Sequence, residues 1–128
     1  MNSNKAAFPV ILTIDRNRRN LELLSQFLKN EGYETRQVSE LSSFDSVIDH
    51  ADINVVLALV DISGFDSDIW KHCEQLRSRG IPLLVLSPKH SSAIQQESFA
   101  HGARGVLVKP LVARELMTLV KEMIGSQA

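Results

Sequence analysis

Val55-Val56-Leu57-Ala58-Leu59-Val60 is a continuous apolar run that stops at a carboxylate, Asp61. Such a run is too short for an ordinary helix. With no polar alternation it has both faces to bury, which predicts a central parallel strand covered on each side by helices. The rest of the chain therefore has to supply further strands beside this one and amphipathic helices to pack over it.

It does so in alternation. Phe8 to Ile14 is short, apolar and rich in branched residues, and reads as a strand. Asn17 to Glu31 carries Leu21, Leu24 and Leu28 at helical spacing, with Asn17 able to cap the start and Gly32 placed to end it. A second strand is predicted at Tyr33 to Val38, then a short helix in which Phe44, Val47 and Ile48 share a face. After Asp61, Ile69, Cys73 and Leu76 repeat at helical spacing before Gly80, and Ile81 to Leu86 gives another buried strand that ends at Ser87. Ala93 to His101 is a weakly amphipathic helix stopped by Gly102, and Gly105 to Val108 is a last short strand followed by Lys109-Pro110. Val112, Leu116, Leu119, Val120 and Met123 line one face of a C-terminal helix. Five strands alternating with five helices make a doubly wound α/β parallel sheet the natural solution. At 128 residues, 44% of them hydrophobic, one domain is expected over 1–128, with 1–7 a flexible N-terminus and 125–128 a frayed end or the start of a linker.

Charge and cysteine content narrow the function classes. A formal net charge of -1 gives no electrostatic footprint for direct nucleic-acid or anionic-membrane binding. Met1 to Ala7 has no signal-peptide core, and the longest apolar run is far short of a membrane span. The single cysteine, Cys73, cannot form an internal disulfide, and no Cys or His pair has metal-ligand spacing, which fits a reducing cytoplasm.

In a doubly wound sheet the functional crevice lies beyond the carboxyl ends of the strands, where strand order reverses. Asp15 follows the first strand, Asp61 the third, Ser87 the fourth and Lys109 the fifth, so four residues distant in sequence converge on one edge. A carboxylate there can attack a phosphoryl group, a lysine can neutralise the transferred oxygens, and a hydroxyl can hydrogen-bond one of them. A second carboxylate can help to hold Mg²⁺, which prefers oxygen ligands and keeps several waters.

Over Val10 to Ile124 the chain resembles the receiver domains of two-component response regulators. The resemblance is carried by Ile11-Leu12-Thr13-Ile14-Asp15, Glu31-Gly32-Tyr33-Glu34, Leu59-Val60-Asp61, Ile81-Pro82-Leu83-Leu84-Val85-Leu86-Ser87, Gly102-Ala103 and Leu107-Val108-Lys109-Pro110. It implies a flavodoxin-like (βα)5 sheet with strand order 2-1-3-4-5. It also implies a signalling module rather than an enzyme, with Asp61 the phosphoacceptor for a histidine kinase or phosphotransfer protein. By the same resemblance Asp15 and Asp61 would support Mg²⁺, with the backbone carbonyl of Ser63 completing the shell. Ser87 and Lys109 would sense the phosphorylated state and pass it to a downstream partner or a fused output domain, and a homodimer is compatible with the family.

Four departures bear on that chemistry. Arg16 stands where the family has a second acidic residue; if it joins Asp15, Asp61 and Lys109 the formal charges cancel and Mg²⁺ binding weakens. Either its guanidinium pairs with Asp61 in place of part of the metal's charge, or it is solvated. Pro88 has no backbone N–H to offer a phosphoryl oxygen. Ile62-Ser63-Gly64-Phe65-Asp66 belongs to a loop about two residues shorter than the family's, and Val106 replaces an aromatic switch residue. These departures define an alternative, a degenerate receiver acting as a phosphorylation-independent interaction module. A third reading, a phosphatase using Asp61 with Asp66 or Asp68, is weaker because those two fit a loop and a helix start. Phe99, Trp70 and Met123 are expected to pack, the four histidines to lie on the surface, and Arg16, Arg18 and Arg19 to form a solvated face.

Overall fold

The computed structural model describes residues 8–50 and 52–125. In chain order the elements are β1 (Phe8–Ile14), α1 (Arg18–Asn30), β2 (Glu34–Val38), a 3-10 turn at Leu41–Ser43 running into α2 (Phe44–Ile48), β3 (Ile53–Asp61), α3 (Asp68–Ser78), β4 (Leu83–Ser87), α4 (Ser92–Ala100), β5 (Ala103–Val108) and α5 (Ala113–Gly125). All adjacent strands run parallel, in the order β2-β1-β3-β4-β5. Gly125 closes α5 rather than beginning a frayed end; the expectations for 1–7 and 126–128 lie outside the described residues.

The central apolar run is the middle of β3, and its residues divide between two cores. Ala58 and Val60 point with Leu12, Ile14, Leu83 and Val85 toward α2 and α3, where Phe44, Ile69, Cys73 and Leu76 complete the packing. Leu57 and Leu59 point the other way with Ile11, Leu84 and Leu86 against Leu28 of α1 and Leu116, Met117 and Val120 of α5. This is the period-two alternation of a strand with no polar face, and it is why the run contains no polar residue before Asp61.

β2 and β4 start later than the sequence expectation for one repeated reason, whereas β3 and β5 start two residues earlier than expected, at Ile53 and Ala103. The amide of Tyr33 donates to Leu28 and that of Gly32 to Lys29, so Tyr33 closes α1 and β2 begins only at Glu34. Ile81 and Gly80 donate in the same way to Leu76 and Arg77, which shifts the start of β4 past Pro82 to Leu83. Both closures need a left-handed residue just beyond the helix, supplied by Gly32 (φ 96°) and Gly80 (φ 74°). Asn17 caps α1 as expected, its side chain accepting from the amide of Asn20 at 3.0 Å.

Candidate functional site

The carboxyl ends of β1, β3 and β5 bring Asp15, Asp61 and Lys109 together. Asp61 is the last residue of β3 and is 3% exposed. Its Oδ1 accepts from the backbone amide of Ser63 at 2.9 Å, and its Oδ2 accepts from Lys109 Nζ at 2.6 Å. Lys109 is held at this edge because its own amide donates to the Ser87 carbonyl at 2.9 Å, extending the β4–β5 pairing by one bond. Asp15 leaves β1 with its amide bonded to Val38 and its Oδ1 accepting from the amide of Asn17 at 2.8 Å.

Asp15 responds to its surroundings. Burial pushes the Asp15 carboxyl above its ordinary value; the Asn17 amide opposes the rise, and the neighbouring Asp61 charge adds to it. Lys109 works the other way on Asp15, favouring the ionised form.

Arg16 does not make the forked contact with Asp61 that was one of its two readings. Its side chain is exposed, its stem runs alongside Gly64, and its guanidinium lies 5.8 Å from the centroid of the Phe65 ring. A cation over an aromatic face needs no carboxylate partner. The cluster proper is thus two carboxylates against one ammonium, one formal negative charge rather than the zero expected with Arg16 included.

Ser87 is fully buried at the end of β4, but its hydroxyl donates to the carbonyl of Lys89 at 2.7 Å and bonds neither Asp61 nor Lys109. Ser63 lies beside Asp61, and its hydroxyl is buried with no hydrogen-bond partner among the described residues. Pro88 is exposed in the loop after β4, and Val106 is half-buried against the α2 and α3 side of the sheet. Asp66 accepts from the amide of Asp68 at 2.9 Å where α3 begins, a helix-start role for both.

Two features were not foreseen. A cavity of 310 Å³ opens beside the acids between α1 and α5, lined by Leu23, Leu24, Phe27, Leu111 and Leu116 and reaching Asp15, Asp61 and Lys109. Its one sequence signal is Leu23, an apolar residue off the Leu21, Leu24 and Leu28 stripe and 56% exposed. Away from the site, His101 is no free surface histidine: it stacks on Trp70 with ring centroids 5.5 Å apart and bonds Glu74 at 3.0 Å. His72 meets the edge of Phe44. Trp70 and Met123 pack as expected, whereas Phe99 is 51% exposed, because its face of α4 turns from the sheet.

The donor set suits a hard cation. Two carboxylates close enough to interact and an orphaned buried hydroxyl offer only oxygen, and Mg²⁺ is commonly held by one or two carboxylates with waters making up the rest.

Comparison with known proteins identifies the family. The chain is 27% identical over 118 residues to the transcriptional regulatory protein GltR of Pseudomonas aeruginosa, covering 89% of this chain and 48% of that protein. It is 28% identical over 116 residues to the transcriptional regulatory protein ResD of Bacillus subtilis, covering 89% and 47%. The chain thus spans about half the length of the curated relatives it matches. In fold it is similar to a CheY-like response regulator receiver domain protein from Methanospirillum hungatei JF-1, with a TM-score of 0.81, 24% identity and coverage of 94% of this chain and 97% of that one. The family model of the response regulator receiver domain matches residues 11–121, and with the acids and the lysine converging at the strand ends of a 2-1-3-4-5 sheet, the chain belongs to that family, the receiver domains of two-component response regulators.

Proposed function

We propose that Asp61 is the phosphoacceptor of this receiver and that Lys109 is the charge that keeps it competent. The observation that carries the reading is the 2.6 Å bond from Lys109 Nζ to a carboxylate 3% exposed at the end of the central strand. The ammonium is already in contact with the nucleophile, and being 28% exposed it is free to follow negative charge onto the oxygens of an incoming phosphoryl group. The Ser63 amide fixes the other carboxylate oxygen, so the attacking group is oriented before the donor arrives. Asp15, Asp61 and the backbone carbonyl of Ser63 would hold Mg²⁺, which when bound supplies positive charge to the transferring oxygens. Ser87 reads the product: its hydroxyl exchanges the Lys89 carbonyl for a phosphoryl oxygen, drawing the loop after β4 with it. With Val106 in place of a large ring, that loop movement is the output signal.

The donor is a histidine kinase or phosphotransfer protein, and the recipient is a protein partner or an output domain in the same polypeptide. The relatives' names point to transcription, but the charge of this chain assigns any DNA contact to another segment. A cytoplasmic signalling module without turnover of its own is the matching role; no helix among the described residues is long and apolar enough to cross a membrane. No separate observation favours the phosphorylation-independent module.

Incubation with phosphoramidate and Mg²⁺ followed by intact-mass measurement tests the reading. One added phosphoryl group is expected on the native chain and none on Asp61→Asn. No addition, or addition that survives Asp61→Asn, refutes it.

A further inference from the structure

The cavity beside Asp61 has a construction that phosphoryl chemistry alone does not require. Leu23, Leu24 and Phe27 of α1 line it from one side and Leu111 and Leu116 from the other, while Asp15, Asn20, Asp61 and Lys109 supply its polar lining. Leu23 is 56% exposed, an apolar side chain left in water at the mouth of the opening. A volume of 310 Å³ is at the scale of a small-molecule site, and a cavity of about 150 Å³ already accepts a benzene ring. The space therefore takes a phosphoryl group and a short hydrocarbon tail together.

From this juxtaposition we infer that the α1–α5 cavity is a leaving-group site for small acyl phosphates with apolar tails, so that this receiver discriminates among such donors by the length of the tail. The inference rests on Asp61 being the phosphoacceptor. In the step concerned, a carboxylate oxygen of Asp61 forms a bond to phosphorus while the bond from phosphorus to the acyl oxygen breaks. The electron pair departs with the acyl oxygen as a carboxylate, no proton has to move, and total charge is conserved. Lys109 belongs to the polar lining, where it meets the phosphoryl oxygens, and the tail lies along Leu23, Leu24 and Leu111 out of water. A phosphoryl donor with no tail, such as phosphoramidate, gains nothing from those walls.

The test compares phosphoramidate, acetyl phosphate and butyryl phosphate on the native chain, each with Mg²⁺, following phosphorylation by intact mass over a range of donor concentrations. A fully buried methylene is worth about fourfold in affinity, so two more of them, partly buried, should lower the half-saturating concentration of butyryl phosphate roughly tenfold below that of acetyl phosphate. Leu23→Gln, on a residue too exposed to matter to the core, should shrink that ratio at least about twofold, and Leu111→Gln should do the same from the opposite wall. Far-UV circular dichroism verifies that both variants fold. Equal half-saturation for acetyl and butyryl phosphate, or a ratio untouched by both substitutions, overturns the inference even where phosphoramidate labels Asp61. Failure of phosphoramidate as well refutes the phosphoacceptor reading itself.

Discussion

Replacing Lys109 by methionine removes the ammonium that faces Asp61 and leaves a shape of similar length. The carboxylate left behind is 4% exposed on its side chain and adjoins a second acid, Asp15. Removing one partner of a buried pair generally costs about 3–5 kcal/mol, because the surviving charge is uncompensated. The 28% exposure of Lys109 and the cavity at this edge admit some water, which places the expected loss at the lower end, about 3 kcal/mol. For a domain of this size that lowers the melting midpoint by roughly 12 °C. Asp61→Asn is not the mirror image. Asparagine still accepts the Ser63 amide, the freed ammonium reaches solvent, and Asp15 loses a like charge, so the change should fall within about 1 kcal/mol of native, on either side. The double variant should then resemble Asp61→Asn, a coupling of about 2 kcal/mol or more. Urea denaturation of the four proteins in chelator, at one pH near neutrality, measures all of this. If Asp61→Asn loses as much as Lys109→Met, or if the two losses simply add, the pair is not a buried charge compensated from one side and the reasoning is wrong.

Three further outcomes follow from individual environments. Asp15 is held above its ordinary value, so its contribution to stability is intact below that value and is lost as pH rises through the folded one; ionised Asp15 is a burden at neutral pH. Asp15→Asn should accordingly raise the urea midpoint in chelator, while the native chain should gain more from added Mg²⁺ than the variant does. Burial, with help from the Glu74 charge, pushes the Cys73 thiol up to about 12 from 9.0, so folding favours the protonated thiol and stability declines as pH climbs from about 9 toward about 12, by at most about 4 kcal/mol. Comparison with Cys73→Ala across that range isolates the decline, and an unchanged slope in the variant argues against it. Gly32→Ala and Gly102→Ala both force a side chain into the left-handed region, at φ 96° and 105°. Only at Gly102 would the new methyl also meet Arg77, 2.8 Å from its Cδ, whereas Gly32 has open space. Thermal melts should show about 1 kcal/mol lost at Gly32 and clearly more at Gly102.

Much of the architecture was legible in the residues themselves. A run such as Val55 to Val60 has no polar face to show water, so burial on both sides follows from composition, and the helices that cover it announce themselves by Leu21, Leu24 and Leu28 or by Leu116, Val120 and Met123. Convergence of Asp15, Asp61 and Lys109 was also legible, since strand ends in a parallel sheet share one edge. Strand starts were not, because whether Tyr33 or Ile81 belongs to the strand or to the helix before it depends on which carbonyl its amide reaches, and that is decided by the three-dimensional turn. Side-chain direction was beyond the sequence as well. Arg16 had two readings of similar merit until the position of Phe65, in the loop after β3, gave its guanidinium an aromatic face. Ser87 was placed correctly at its strand end, yet only the folded loop decided that its hydroxyl bonds the Lys89 carbonyl. The cavity between α1 and α5 belongs wholly to tertiary structure: Leu23 and Leu111 are 88 positions apart, and nothing local to either records that they border the same space. Periodicity tells which face of a segment must be buried; the identity of its neighbours, and the room left between them, is set only when the segments pack.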